Sequence, residues 1–156
     1  METRFAVYSS PIGYIRVEHI DNKLSLLHVL ESQPIELGTC DKFTDMVFAQ
    51  IMEYIKSERK CFDVELDISR CSEFQTAVLR ELIKIPYAAT ISYKQIAEAI
   101  GNPKASRAVG SANNHNPIHI IIPCHRVVGS RGELTGYAAG LELKEFLLNL
   151  ENAVGR

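Results

Sequence analysis

In the stretch "IIPCHRVVG", residues 121 to 129, a thiol, an imidazole and a guanidinium (Cys124, His125 and Arg126) follow one another between runs of isoleucine and valine. A cysteine attacks only as its thiolate, which a neighbouring cation, a helix N-terminus or a hydrogen-bonding histidine favours. Side chains adjacent on a regular strand point to opposite faces, so Cys124 and His125 can cooperate only in a turn or at a helix start, directly or through a water. A lone cysteine behind isoleucines is more commonly a buried, inert thiol. Two polar residues set directly after it weaken that reading and leave nucleophilic catalysis open beside it. A metal is not expected. His115 and His119 are four apart, but Pro117 separates them and no cysteine pair accompanies them.

Two segments must position this motif. The isoleucines before Cys124 read as a buried strand leading into the motif. After it, "GSRGELTGYAAG" is a Gly-rich loop, and "LELKEFLLNLEN" is a final helix with Leu143, Phe146, Leu147 and Leu150 facing inward. Upstream, Ser72 with Gln75 has capping-box spacing and opens the helix "EFQTAVLRELIKI", which Pro86 stops. Ser92 with Gln95 repeats the box and opens "YKQIAEAI", closed by Gly101. Asn102 then caps "PKASRAVGSA", with Pro103 at its first position. Two short helices across a Gly-containing turn make a helix-turn-helix. The second is thin: Ala105, Ser106, Ala108 and Gly110 project little, while Lys104 and Arg107 reach far. Such a helix suits either close packing in a core or insertion into a DNA groove with Arg107 as its probe.

The N-terminal third reads as a meander. "RFAVYSS" turns at Pro11-Ile12-Gly13, "YIRVEHI" turns at Asp21-Asn22, and "KLSLLHVL" completes it. The helix "KFTDMVFAQIMEYIKS" covers the sheet with Phe43, Val47, Ile51, Tyr54 and Ile55. "ERKCFDVELDISRCS" is a connector in which Phe62, Val64 and Leu66 alternate as a short strand. The expected architecture is α+β: a small antiparallel sheet domain with its helix and connector over residues 1–70, and a mostly helical domain over 71–156.

Hydrophobic content of 46% with 23% charged residues belongs to globular chains and excludes a disordered polymer. Neither a membrane span nor a basic-then-apolar leader is evident, so a cytoplasmic protein is expected. Four cysteines without a C-x-x-C pair fit reduced thiols. The net charge of −2 argues against a simple basic nucleic-acid binder. Its distribution argues the other way. Over residues 84–131, Lys84, Lys94, Lys104, Arg107, Arg126 and Arg131 are opposed only by Glu98.

"PCHRVVG", preceded by "SYKQIAEAIGNPKASRAVGSANNHNP" and followed by "GELTGYAAGLELKEFLL", strongly resembles the O6-alkylguanine-DNA alkyltransferases (methylated-DNA–protein-cysteine methyltransferases). The resemblance runs from about Ser72 to about Glu151. It implies irreversible transfer of an alkyl group from O6-alkylguanine, and from O4-alkylthymine, in double-stranded DNA onto Cys124, after base flipping through the minor groove. His125 matches the histidine that deprotonates the thiol through a water, and Glu151 the carboxylate orienting it, with Glu145 as the nearby alternative. Tyr93 matches the tyrosine serving the guanine ring, and Asn116 the asparagine bracing the active-site turn. Tyr137 and Lys144 match residues of the base pocket, and Arg107 the finger that fills the gap in the duplex. Lys104, Ala105 and Ser106 belong with it on the DNA-facing side. Arg126 is expected to tie the turn to carbonyls or carboxylates. The sequence departs at Ala138, where many relatives have serine, and at Gly129, where some have a second cysteine. The resemblance implies no cofactor, no membrane partner and a monomer. A damage-binding relative unable to react would have replaced Cys124, and a helix-turn-helix regulator with a sensing cysteine would need a further effector segment.

Overall fold

The computed structural model describes residues 2–155, with side chains through 152. It divides into two compact units, Met1–Arg70 with Pro117–His119, and Cys71–Asn116 with Ile120–Arg156.

In the first unit, β1 (Thr3–Ser10), β2 (Gly13–Ile20) and β3 (Lys23–Leu30) form an antiparallel sheet in the order β1-β2-β3. The β2–β3 turn is Asp21-Asn22, both at positive φ (50° and 61°), the primed geometry whose twist suits a hairpin. At the other turn Gly13 sits at φ +120°, and a Cβ there would lie 2.6 Å from the Leu30 carbonyl oxygen, so only glycine fits. Helix α1 (Lys42–Ile55) starts with a capping box between Asp41 and Thr44 and buries Phe43, Val47, Ile51 and Tyr54. Together with Ala6, Ile15, Val17 and Leu27 these make the unit's apolar core. The expected strand at Phe62, Val64 and Leu66 reduces to one bridge between Leu24 and Leu66. The edge of β3 is used instead by Pro117–His119: Leu27 N–H donates to Pro117 O at 2.9 Å and His119 N–H to Leu27 O at 2.8 Å.

The second unit holds α2 (Glu73–Ile83), β4 (Ile91–Ser92), α3 (Tyr93–Ala99), α4 (Ser106–Asn114), β5 (Val127–Val128) and α5 (Leu141–Gly155). Ser72 caps α2, and the Ser92–Gln95 capping box opens α3. The pair α3–α4 is the expected helix-turn-helix, but α4 begins later than the sequence suggests. Residues 102–105 form a turn closed by Ala105 N–H to Asn102 O at 3.0 Å, so Asn102 is not its cap and Pro103 is not its first residue. Lys104 therefore lies in the turn and Ala105 at the N-cap. Among the described residues no helix is long and apolar enough to cross a membrane.

Ile120–Ile122 is turn rather than strand, with Ile120 at φ 71°, although Ile120 and Ile122 are buried. On α5, Phe146 is 42% exposed, and the buried stripe is Lys144, Leu147 and Glu151. That stripe has true helical spacing, i, i+3 and i+7, yet two of its members are charged.

Candidate active site

Parallel pairing of β4 with β5, Ile91 to Val127 and Ser92 to Val128, brings two distant segments together. Tyr93 follows β4 directly, and the 3-10 turn Cys124–Arg126 immediately precedes β5. The turn solves the difficulty of adjacent side chains on a strand, since Cys124, His125 and Arg126 need not alternate across a sheet. All three are buried, Cys124 to 2% exposure and His125 completely.

Behind the turn stands Glu151 of α5, fully buried. Its Oε2 accepts from His125 Nε2 at 2.6 Å and from an Arg126 Nη at 3.0 Å, while Oε1 accepts from Arg126 Nε at 2.8 Å. Ala88 N–H adds a donor to Oε1 at 3.1 Å, and Arg126 reaches the Ile85 carbonyl at 2.7 Å. Glu145, the alternative carboxylate, is exposed. A carboxylate only accepts, so Nε2 carries the hydrogen and Nδ1 of neutral His125 is the acceptor. Burial holds His125 below the ordinary histidine range despite the Glu151 charge, which pulls the other way. The imidazole is therefore neutral at rest, as a base must be.

The sulfur is protonated at rest as well. Burial pushes the Cys124 thiol up to about 11, only partly offset by hydrogen bonding from Asn116 and Tyr137 and by the Lys144 charge. Proximity of His125 and Arg126 alone does not populate a thiolate here, contrary to the simplest reading of the motif.

Lys144 is completely buried and donates from Nζ to Val127 O at 2.5 Å and Thr135 O at 2.7 Å. Its removal from water lowers its pKa to about 8. Thr135 O also accepts from the Tyr93 hydroxyl at 2.8 Å. Burial raises the Tyr93 pKa, keeping it a donor at neutral pH. Asn116, 2% exposed, donates from Nδ2 to Ile122 O at 2.8 Å. Tyr137 is 8% exposed.

A cavity of about 630 Å³ opens beside these residues, lined by Tyr93, Ser106, Arg107, Gly110, Thr135 and Gly136 among others. Arg107 is exposed at its margin, and Gly110 lies where a Cβ would come within 3.8 Å of the Tyr93 ring. Ala105 is half-buried and Lys104 exposed, and neither is among the cavity-lining residues. Among the described residues no cluster of three or more His, Cys, Asp or Glu side chains is arranged to hold a metal ion.

The structure thus gathers Cys124, His125, Glu151, Asn116, Tyr137 and Lys144 around one turn, with Tyr93 and Arg107 on the adjoining cavity. Sequence reasoning missed Asn113, 1% exposed, whose Nδ2 donates to Cys124 O at 3.3 Å. Its one available signal was a polar residue on the apolar side of α4, in step with Val109 and Ala112.

Residues 73–153 match the family model described as "6-O-methylguanine DNA methyltransferase, DNA binding domain". A methylated-DNA–protein-cysteine methyltransferase of Methanosarcina acetivorans is 45% identical over 154 residues, covering 96% of this chain and 98% of the relative. The crystal structure of Mycobacterium tuberculosis O6-methylguanine methyltransferase is similar with a TM-score of 0.87 and 41% identity, over 97% of this chain and 94% of that one. The Mycobacterium tuberculosis OGT in complex with DNA is similar with a TM-score of 0.87 and 43% identity, over 96% and 93%.

Proposed function

The chain belongs to the 6-O-methylguanine DNA methyltransferase family, and from that premise we infer that it repairs DNA by direct reversal, moving the alkyl group of O6-alkylguanine onto its own Cys124. The observation that carries the assignment to Cys124 is the buried series Glu151–His125 beside that cysteine in a single 3-10 turn. DNA is its partner, and O4-alkylthymine offers the same alkyl–oxygen bond as a second substrate.

The reaction is a displacement at saturated carbon, for which sulfur is a suitably soft nucleophile. The S–C bond forms as the C–O6 bond breaks. With the thiol held near 11, the proton on Sγ must leave as attack proceeds. Neutral His125 takes it at Nδ1 through a bridging water, and Glu151 steadies the imidazolium that results. Tyr93 exchanges its bond to Thr135 O for one to the ring of the departing guanine, whose developing negative charge its hydroxyl stabilises by donating a hydrogen bond. Asn116 holds the turn, and Tyr137 and Lys144 shape the pocket from within. The sulfur is not regenerated, so each molecule turns over once.

Cys124 lies below the surface, and the damaged base must leave the duplex to reach it. Arg107 occupies the gap left behind, and the small side chains Ala105, Ser106 and Gly110 let this part of the chain approach the minor groove closely. Exposed Lys94, Lys104 and Arg131 contact phosphates, whereas Arg126 is committed to Glu151. All named groups come from one chain, which suits a monomer.

The test is mass spectrometry after incubation with duplex DNA containing O6-methylguanine. One added methyl on the Cys124 peptide is expected, and none in Cys124→Ser. Transfer that survives this substitution overturns the assignment.

A further inference from the structure

Two asparagines bracket Pro123. Asn116 donates to the carbonyl before it, Ile122 O at 2.8 Å, and Asn113 to the carbonyl after it, Cys124 O at 3.3 Å. Asn113 is 1% exposed and shares the buried side of α4 with Val109 and Ala112. Its other end is a liability: among the described residues Oδ1 has no hydrogen-bond partner. A buried amide oxygen left without a donor weakens a fold, and an apolar side chain of similar volume at this position would avoid the cost. Residues that break a local rule this way tend to persist where function needs them. Here the needed end is in view, since Nδ2 holds the main chain of the nucleophile itself.

We propose that Asn113 is a positioning residue for alkyl transfer: it ties α4, the helix carrying Arg107, to the carbonyl of Cys124 and thereby fixes the direction in which Sγ leaves the turn. The proposal rests on Cys124 being the alkyl acceptor. Attack at saturated carbon needs sulfur in line with the breaking bond, and small errors in that line cost rate steeply.

Asn113→Leu removes the donor and the orphaned acceptor together. Its thermal midpoint should equal or exceed that of the unaltered protein, while single-turnover transfer slows about tenfold. The slowing should be the same with methylated duplex and with free O6-benzylguanine, because the turn and not the DNA contact is disturbed. A rate within about twofold of the unaltered protein overturns the proposal, as does slowing with the duplex alone. Should the leucine variant lose stability, Asn113→Asp decides. Its protonated carboxyl can donate to Cys124 O and its carboxylate cannot, so its rate relative to the unaltered protein should fall as pH rises. A ratio that does not change with pH means that the bond to Cys124 O does not matter to transfer. Methylation of Cys124 in the unaltered protein, followed in the same assay, tests the acceptor assignment separately.

Discussion

Arg126 and Glu151 meet as a buried two-point pair, Nε to Oε1 at 2.8 Å and Nη to Oε2 at 3.0 Å, and His125 donates to the same carboxylate at 2.6 Å. The guanidinium neutralises the carboxylate in a place where an isolated charge would be untenable. It also fixes both oxygens, so that His125 can present only its Nδ1 edge as an acceptor. Arg126 is thus a structural counterpart to the relay, beside the histidine rather than within reach of the sulfur chemistry.

Removing one member of such a pair is worse than removing both, because the survivor remains buried and charged. Arg126→Met should cost about 3–5 kcal/mol of stability. Urea unfolding measures this, and Arg126→Met combined with Glu151→Leu should recover part of the loss. A loss in the double variant equal to the sum of the two single losses would mean that the pair carries no coupling.

The pH profile of transfer separates the base from the thiol. In the unaltered protein, rate falls only as pH drops through the His125 pKa, which burial places below the ordinary histidine range. In His125→Ala the sulfur must ionise unaided, so the rate should climb about tenfold per pH unit from neutral up towards the thiol value near 11. Parallel profiles from single-turnover measurements would remove His125 from the role of base. Adding Glu151→Gln to His125→Ala should lower the rate little further, because members of one relay are not additive.

Thiol reagents should rank the cysteines in the reverse order of their biological reactivity. Cys40 and Cys61 are exposed, whereas Cys124 is 2% exposed and its thiol is held up near 11 by burial. Iodoacetamide at neutral pH should therefore label Cys40 and Cys61 well before Cys124, as peptide mapping over time would show. Preferential labelling of Cys124 would mean a populated resting thiolate.

Ala88 is held at φ 66°, a left-handed conformation that disfavours any side chain with a Cβ, while its N–H serves Glu151. Glycine takes this conformation freely. Ala88→Gly should stabilise the protein by about 1 kcal/mol, the relief of strain outweighing the added freedom of the unfolded chain. Denaturant midpoints would reveal it, and a destabilised variant would refute the strain argument.

How far the sequence foretold this arrangement varied with the kind of force involved. The meander and α1 were legible because hydrophobic alternation and turn residues such as Asp21-Asn22 act locally. The capping residues Ser72 and Ser92 were legible for the same reason. Hydropathy failed on α5, where Phe146 was expected inside and Lys144 and Glu151 lie inside instead. Their burial is compensated by Val127 O, Thr135 O, His125 and Arg126, partners distant along the chain that periodicity cannot register. Resemblance had singled out both residues even though their burial was hidden. The isoleucines preceding Cys124 misled in the opposite sense, their apolar character fixing burial but not extended backbone, which Ile120 abandons. Asn113 escaped notice because an asparagine within a helix announces no partner.

Arg107 combines a fixed positive charge with a long side chain ending in a planar group. It is exposed at the margin of the cavity that Tyr93 and Gly110 also line, on the helix that begins at Ser106. Extruding a base costs a few kcal/mol of lost pairing and stacking, which a side chain filling the vacated space offsets. Phosphate attraction from its charge would act on any DNA, damaged or not, and would fade as salt rises. Gap filling matters only where a base must be flipped. Arg107→Ala should accordingly slow transfer from methylated duplex by about a hundredfold, if most of that compensation is lost. Reaction with free O6-benzylguanine, which needs no flipping, should change little. Arg107→Lys keeps the charge and loses the planar group, so it should recover duplex affinity at low salt more than it recovers the rate of repair. Equal slowing of duplex and free base would instead place Arg107 among the groups that shape the pocket.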